Sequence, residues 1–171
     1  MNLRNMWTVD GLYYLFIEEK YGTKEVEITG FELLGKSGEN KRVFTVGETL
    51  RGRIYFKVNN PVINPQFVFC IYRSEGFCAS QVFMSAEDMG TRILDKSGIV
   101  DVIYDPLQLG KGYYSLSIGI FKQLNLNNPQ EEPSYCVWDR AIHFEIVQQE
   151  GCYKELGLVI HPVHWKLSYT G

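Results

Sequence analysis

Residues 30–37 read Gly-Phe-Glu-Leu-Leu-Gly-Lys-Ser, which satisfies the phosphate-loop pattern GxxxxGK[ST]. The chemistry it would do is to cradle a nucleotide's phosphates. Such a loop lies between a buried strand and a helix, so that backbone N–H groups and the helix N-terminus converge on the anion. Here the middle residues belong to a different pattern. Glu25 to Leu34 alternates polar and apolar with period two, which marks a half-buried strand. Gly38-Glu39-Asn40-Lys41 follows Ser37, then Val43, Phe44 and Val46 lead into another strand-like stretch with no helical apolar period. Gly35 to Asn40 therefore reads as a chain reversal, and the match as a decoy.

The other reactive side chains are scattered. His161 and His164 stand three apart around Pro162, too irregular for a helical metal pair, and His143 stands alone. Asp95, Asp101 and Asp105 do not follow the alternate-oxygen spacing of a calcium loop. Cys70, Cys78, Cys136 and Cys152 show no CxxC or other close ligand spacing, and no flanking signature makes any of them a nucleophile paired with histidine. The expectation is a protein without catalytic residues, metal or cofactor.

The elements that would position a site are strands. At 171 residues the chain is long enough for one domain, which buries roughly 70% of its unfolded surface. Its 45% hydrophobic and 22% charged residues are ordinary for a soluble globule, and its many Tyr, Phe and Gly point to strands and turns. A net charge of −3 and a pI near 5.6 argue against a nucleic-acid partner. No signal peptide precedes the cysteines, and a reducing, cytoplasmic compartment is expected, with thiols packing as small apolar groups.

Residues 1–24 read as a separate linker or docking segment, either a short helix capped by Asp10 with Leu12, Leu15 and Phe16 on one face, or a strand. From residue 25 to 171 a β-sandwich domain is expected, with strands at 25–34, 48–58, 66–73, 77–84, 98–104, 113–122 and 140–147. A polar loop occupies 123–133, and a last strand, 158–169, is interrupted by Pro162. Leu50, Ile54, Phe56, Val58, Phe67, Phe69, Ile71, Tyr114, Leu116, Ile118, Ile120, Ile142, Phe144 and Ile146 fall on inward positions. Seven or eight short strands with little helix make an all-β, two-sheet antiparallel sandwich.

The order of motifs resembles the C-terminal domain of Wzt-type ATPases, the energising subunits of ABC transporters that export O-antigen polysaccharide. Tyr21-Gly22-Thr23-Lys24-Glu25-Val26-Glu27-Ile28 resembles the family's opening Gly-Thr/Ser step into a Glu-x-x-Ile strand. Phe44 to Leu50 resembles its F-x-x-G-E-x-L hairpin, and Phe67 to Gly76 a strand ending in a turn. Leu107 to Tyr114 resembles its L-x-x-G-x-Y step, and Phe144-Glu145-Ile146 its late F-x-V strand. The likeness covers about residues 21–167. It implies an immunoglobulin-like or jelly-roll sandwich that binds O-polysaccharide, at a modified non-reducing end, without catalysis. It further implies a homodimer with an exchanged last strand, and association with an ATPase nucleotide-binding domain and a membrane subunit at the inner face of the inner membrane. A dimerising sandwich that positions the ATPase without binding sugar is the alternative.

The resemblance supplies no binding motif, so the site is read from chemistry. A sugar needs an aromatic face for its C–H groups and amides or charges for its hydroxyls. One outward face carries Arg51, Arg53, Tyr55 and Lys57, expected beside Ser115, Ser117, Gly119 and Phe121. The other carries Gln66, Val68, Cys70 and Tyr72 beside Ala141, His143 and Glu145, with Gln81 and Trp138 at the rim. The second face is small in its middle and amphipathic at its margins, as a shallow platform or a dimer-facing sheet should be. Gln66, Tyr72, Gln81, Trp138 and His143 are the expected carbohydrate-binding residues, although the parity of Trp138 matches inward Ile142.

Overall fold

A computed structural model describes residues 6–9, 12–15, 20–123, 133–151 and 157–169. Every regular element among them is a strand. In chain order these are β1 (Met6–Val9), β2 (Leu12–Leu15), β3 (Lys20–Tyr21), β4 (Val26–Leu34), β5 (Val43–Thr45), β6 (Leu50–Val58) and β7 (Val62–Ile63). They continue as β8 (Gln66–Arg73), β9 (Cys78–Ser85), β10 (Ile93–Leu94), β11 (Gly98–Tyr104), β12 (Gly112–Phe121) and β13 (Ser134–Val147).

Period-two alternation builds a two-sheet sandwich. One sheet has three strands in the order β11-β6-β4; the other has six, β3-β13-β12-β8-β9, with β5 beside β13. Pairing is antiparallel except for β5, which runs parallel to β13. The sheets close on a core that includes Leu50, Ile54, Phe56, Phe67, Phe69, Ile71, Leu116, Ile118, Ile120, Ile142, Phe144 and Ile146, all expected inward, while Val58, also expected inward, is only partly buried at its edge. Aromatic edges lock it: Phe44 meets Phe144 edge-on at 6.0 Å between ring centres, and Phe56 meets Phe67 at 5.4 Å. At Gly52 the sheets press close, since a Cβ there would lie 2.4 Å from the Phe69 ring.

The turn reading of Gly35 to Asn40 holds, the open choice at residues 12–15 is settled, and two expectations change. The three residues at the heart of the decoy loop, Glu32 to Leu34, are ladder-paired in β4 with Arg53 to Arg51, and Gly35 to Asn40 is a hairpin turn closed by the Leu34–Asn40 bridge. Of the two alternatives left open for Leu12–Leu15 the strand is the one present, paired with β1, while Asp10 and Phe16 lie outside the described residues. β12 belongs to the six-stranded sheet, so Ser115, Ser117, Gly119 and Phe121 do not flank the Arg51–Lys57 face. Finally, 158–169 forms no ladder; the Leu109–Val159 bridge, the hydrogen bonds Gly110 N to Leu158 O and Ile160 N to Gln108 O, and the packing of Leu158 and Ile160 on the core tie its start down. Beyond Ile160 the chain alternates Val163, Trp165, Leu167 and Tyr169, all exposed, with Trp165 94% so. The alternation is that of a strand, but a strand also needs a partner. Most of the loop expected at 123–133, and Cys152, lie outside the described residues.

Candidate functional site

The outer face of the six-stranded sheet carries a shallow groove of about 410 Å³. Its floor follows from one central strand. Along β12 the outward positions Ser117 and Gly119 are small, and they pair with Cys70 and Val68 of β8 on one side. Gly119 pairs with Val137 of β13 on the other. The walls are larger: Tyr72 and Gln81 on the β8–β9 side, Tyr21 and Asp139 on the β3–β13 side. Phe121 closes one end, its ring folded over Gly119 so closely that a Cβ there would meet it at 2.3 Å.

Irregularities in β13 and β9 aim the polar groups. Between the pairs Leu116–Ile142 and Ile118–Trp138, β13 carries two more residues than β12, and Arg140 adopts a positive φ of 45°. Such bulges re-aim side chains. Here Asp139 turns into the groove, where its carboxylate accepts from Ser117 Oγ, which itself accepts from Arg140 N at 2.9 Å. The Arg140 guanidinium lies 4.4 Å over the Tyr72 ring, a cation–π contact that steadies the aromatic wall. A second bulge, at Ala79, lets Cys78 oppose Tyr72 while Gln81 opposes Cys70. Burial, then hydrogen bonding and repulsion from Cys70, raise the Tyr72 phenol above its usual range, so it stays a neutral donor.

Of the expected residues, Tyr72 and Gln81 are brought together in the groove, and Gln66 lies at its far end, opposite Phe121. His143 sits on the same face beyond the bulge, across from Ser115; burial and then Arg42 lower its pKa, which leaves it neutral at pH 7. Trp138 lies on the other side of the sheet. It opposes core residue Ile118, packs against the core, and carries Lys20 Nζ 4.2 Å over its ring. Sequence reasoning missed Tyr21 and Asp139, and put Ser117, Gly119 and Phe121 on the wrong face. The Ser-x-Ser-x-Gly run of 115–119 was the available signal: such small outward residues on a central strand make a trough.

On the opposite outer face two of the four expected side chains are already paired. Arg53 grips Asp101 with both nitrogens, at 2.8 and 2.9 Å, and the Tyr55 hydroxyl donates to Glu32 at 2.6 Å. Those side chains are already satisfied by one another. Among the described residues no three His, Cys, Asp or Glu side chains gather as a metal site, and no helix is long and apolar enough to cross a membrane.

A two-sheet antiparallel sandwich with a grooved outer face is thus the class of protein. The Wzt C-terminal domain family matches residues 17–160, and the chain belongs to that family. A solved structure described as the crystal structure of the C-terminal domain of wzt superposes with a TM-score of 0.70 at 13% identity, covering 89% of each chain, which shows a shared fold. The CARDB domain of the PF1109 protein from Pyrococcus furiosus, in complex with di-metal ions, aligns at a TM-score of 0.36 and 11% identity over 79% of this chain and all of that one, too distant to carry an argument. No curated protein sequence matches the chain. Membership sets the chain in the context of O-antigen ABC transport. The motif residues that carry the likeness are structural: Glu48 accepts from Thr45 N at 2.8 Å and pairs with Lys41 at 2.5 Å, and the buried Tyr114 hydroxyl donates to Gly110 O at 2.6 Å.

Proposed function

We propose that the domain is a non-catalytic module that binds O-antigen polysaccharide in the groove between Tyr72 and Asp139. The observation that carries this reading is a small-residue floor with aromatic, amide and carboxylate groups at its margins. Tyr72 and Phe121 offer faces to sugar C–H groups, while Gln81, Asp139 and the Tyr72 hydroxyl offer donors and acceptors to sugar hydroxyls. Each hydrogen bond to sugar replaces one to water, so affinity per site is weak. The bound element is the modified non-reducing end, as in the setting proposed for the family, and the domain works at the inner face of the inner membrane beside the nucleotide-binding domain and the membrane subunit.

A dimer would raise avidity through effective concentration. Residues 161–169 supply a reason to expect one, because an exposed Val-x-Trp-x-Leu-x-Tyr run has the pattern of a strand awaiting a sheet edge. Exchange between two copies of this chain would satisfy it. The same feature supports the second reading, a sandwich that dimerises and positions the ATPase without touching sugar.

A ¹⁵N-HSQC titration with the polysaccharide of the source strain, capped and uncapped, separates the two. Saturable shifts at Tyr72, Gln81, Ser117 and Asp139 with the capped chain are the expected result. Silence at millimolar sugar from a protein that is dimeric by light scattering would sink the binding reading and leave the scaffold.

A further inference from the structure

Two thiols meet at the groove. Cys70 and Cys78 flank the Ser74–Phe77 turn of the β8–β9 hairpin, and the bulge at Ala79 brings both to the outer face, with their sulfurs 3.3 Å apart. Both are free; Cys70 is buried in the groove lining and Cys78 is exposed. Cys136 differs from them, being buried and committed to the Ile28 amide at 3.4 Å. A disulfide bond is about 2.0 Å long, so closure asks the Cys70 and Cys78 sulfurs to approach by little more than an ångström. That is within reach of side-chain rotation, and the two residues are already near neighbours across the ladder.

We propose that Cys70 and Cys78 form a two-thiol redox site, which a hydroperoxide converts to an intrachain disulfide that reshapes the groove wall. The exposed Cys78 thiolate attacks a peroxide oxygen, the O–O bond breaks, hydroxide leaves and Cys78 becomes a sulfenic acid. The Cys70 thiolate then attacks the Cys78 sulfur; the S–S bond forms, the S–O bond breaks, and the departing hydroxide is protonated to water. Two thiols and one hydrogen peroxide thus yield one disulfide and two waters. Burial pushes the Cys70 thiol up to about 12, so the second step accelerates as pH rises. The closed disulfide draws the Cys70 sulfur away from Gln81 Oε1, now 3.9 Å off, and from the Tyr72 hydroxyl.

Trypsin cuts after Arg73, which parts the two cysteines into peptides 58–73 and 74–92. After hydrogen peroxide, alkylation and digestion of the full chain without reductant, mass spectrometry is expected to find these two peptides linked, and separate again after dithiothreitol. Cys78→Ser abolishes the link, while Cys136→Ser leaves it. In ¹⁵N-HSQC spectra without any sugar, the oxidised protein is expected to shift the amides of Tyr72, Gln81 and Ser117, and Cys78→Ser to show no such oxidant response. Cys78 driven to sulfinic acid with Cys70 still alkylatable, or 74–92 joined to any other peptide, overturns the site. A linked pair with unmoved groove amides overturns the reshaping. Neither result depends on whether polysaccharide binds.

Discussion

Two glycines at nearly equal crowding test the groove and the core against each other. A Cβ at Gly52 would stand 2.4 Å from Phe69 Cε2, and one at Gly119 would stand 2.3 Å from Phe121 Cε2. Distance alone makes Gly52→Ala and Gly119→Ala equivalent. Their surroundings do not. Phe69 is 1% exposed and hemmed between Phe31 and Tyr104, each 6.0 Å away by ring centre, so it has nowhere to go. Overpacking of that kind costs roughly 1–3 kcal/mol. For a domain of this size each kcal/mol lowers the Tm by about 2–4 °C, giving a drop of about 2–12 °C for Gly52→Ala. Phe121 lies at the open end of the groove, partly exposed, and its ring swings out when Gly119 gains a methyl group. Alanine also recovers roughly 0.5 kcal/mol of backbone entropy in a strand, so Gly119→Ala is expected to melt within a degree or two of wild type. Binding should run the other way. Gly119→Ala raises the groove floor and moves an aromatic end wall, and the loss of about 1.4 kcal/mol of contact is a tenfold weaker Kd for polysaccharide. Gly52→Ala leaves the groove residues in place and the Kd unchanged at temperatures below its melt. Thermal unfolding by circular dichroism and NMR titration read the two effects separately. Equal melting losses would refute the claim that Phe121 is free to move, and an unaltered Kd in Gly119→Ala would remove the groove as the binding site.

Asp139→Asn keeps the Ser117 contact sterically but removes the charge, and is expected to weaken polysaccharide binding by about tenfold, since hydrogen bonds to charged groups are worth roughly 1.5–3 kcal/mol. An unchanged NMR isotherm would exclude Asp139 from recognition. Trp165→Ser is expected to convert the proposed dimer to a monomer by light scattering without lowering the monomer's own stability; a dimer that persists would rule out 161–169 as its strand. For Glu48, burial pulls the carboxyl up but is outweighed by the hydrogen bonds from Lys41 and the Thr45 amide and by the Lys41 charge, so its folded pKa is lowered. That stability is present above the unfolded carboxyl pKa, near 4.3, and is lost as pH falls through the lower folded value. Glu48→Gln should therefore cost under about 1 kcal/mol at pH 7 and nothing at a pH below both values, a convergence checked by urea unfolding across the acid range.

Strands were legible because side-chain alternation is a local property. Gln66–Arg73 and Gly98–Tyr104 occupy the residues expected of them, and Tyr114, Leu116, Ile118 and Ile120 of 113–122 all join the core. The rest was illegible where the outcome depends on a neighbour. Tyr72 and Gln81 could be put on one face from sequence, but Asp139 could not, because the two extra residues in β13 exist only relative to β12. Cys78 and Gln81 differ by three positions, which in a regular strand means opposite faces; the bulge at Ala79 puts them on one. Trp138 shared the parity of Ile142, and core packing took it to the inner side.

Alone, the sequence determined that the chain folds as strands, which of their residues turn inward, and that Gly35 to Asn40 is a turn, because backbone sterics and the partition of apolar groups from water act within a few residues. The tertiary structure decided which sheet received β12, where the ladders slip, and that Ser117, Gly119, Tyr72, Gln81 and Asp139 share one groove. It also left Val163 to Tyr169 without a ladder, although their alternation is as regular as that of β12. A period of two states that a segment is able to pair; only the competition for edges across the whole fold selects the partner.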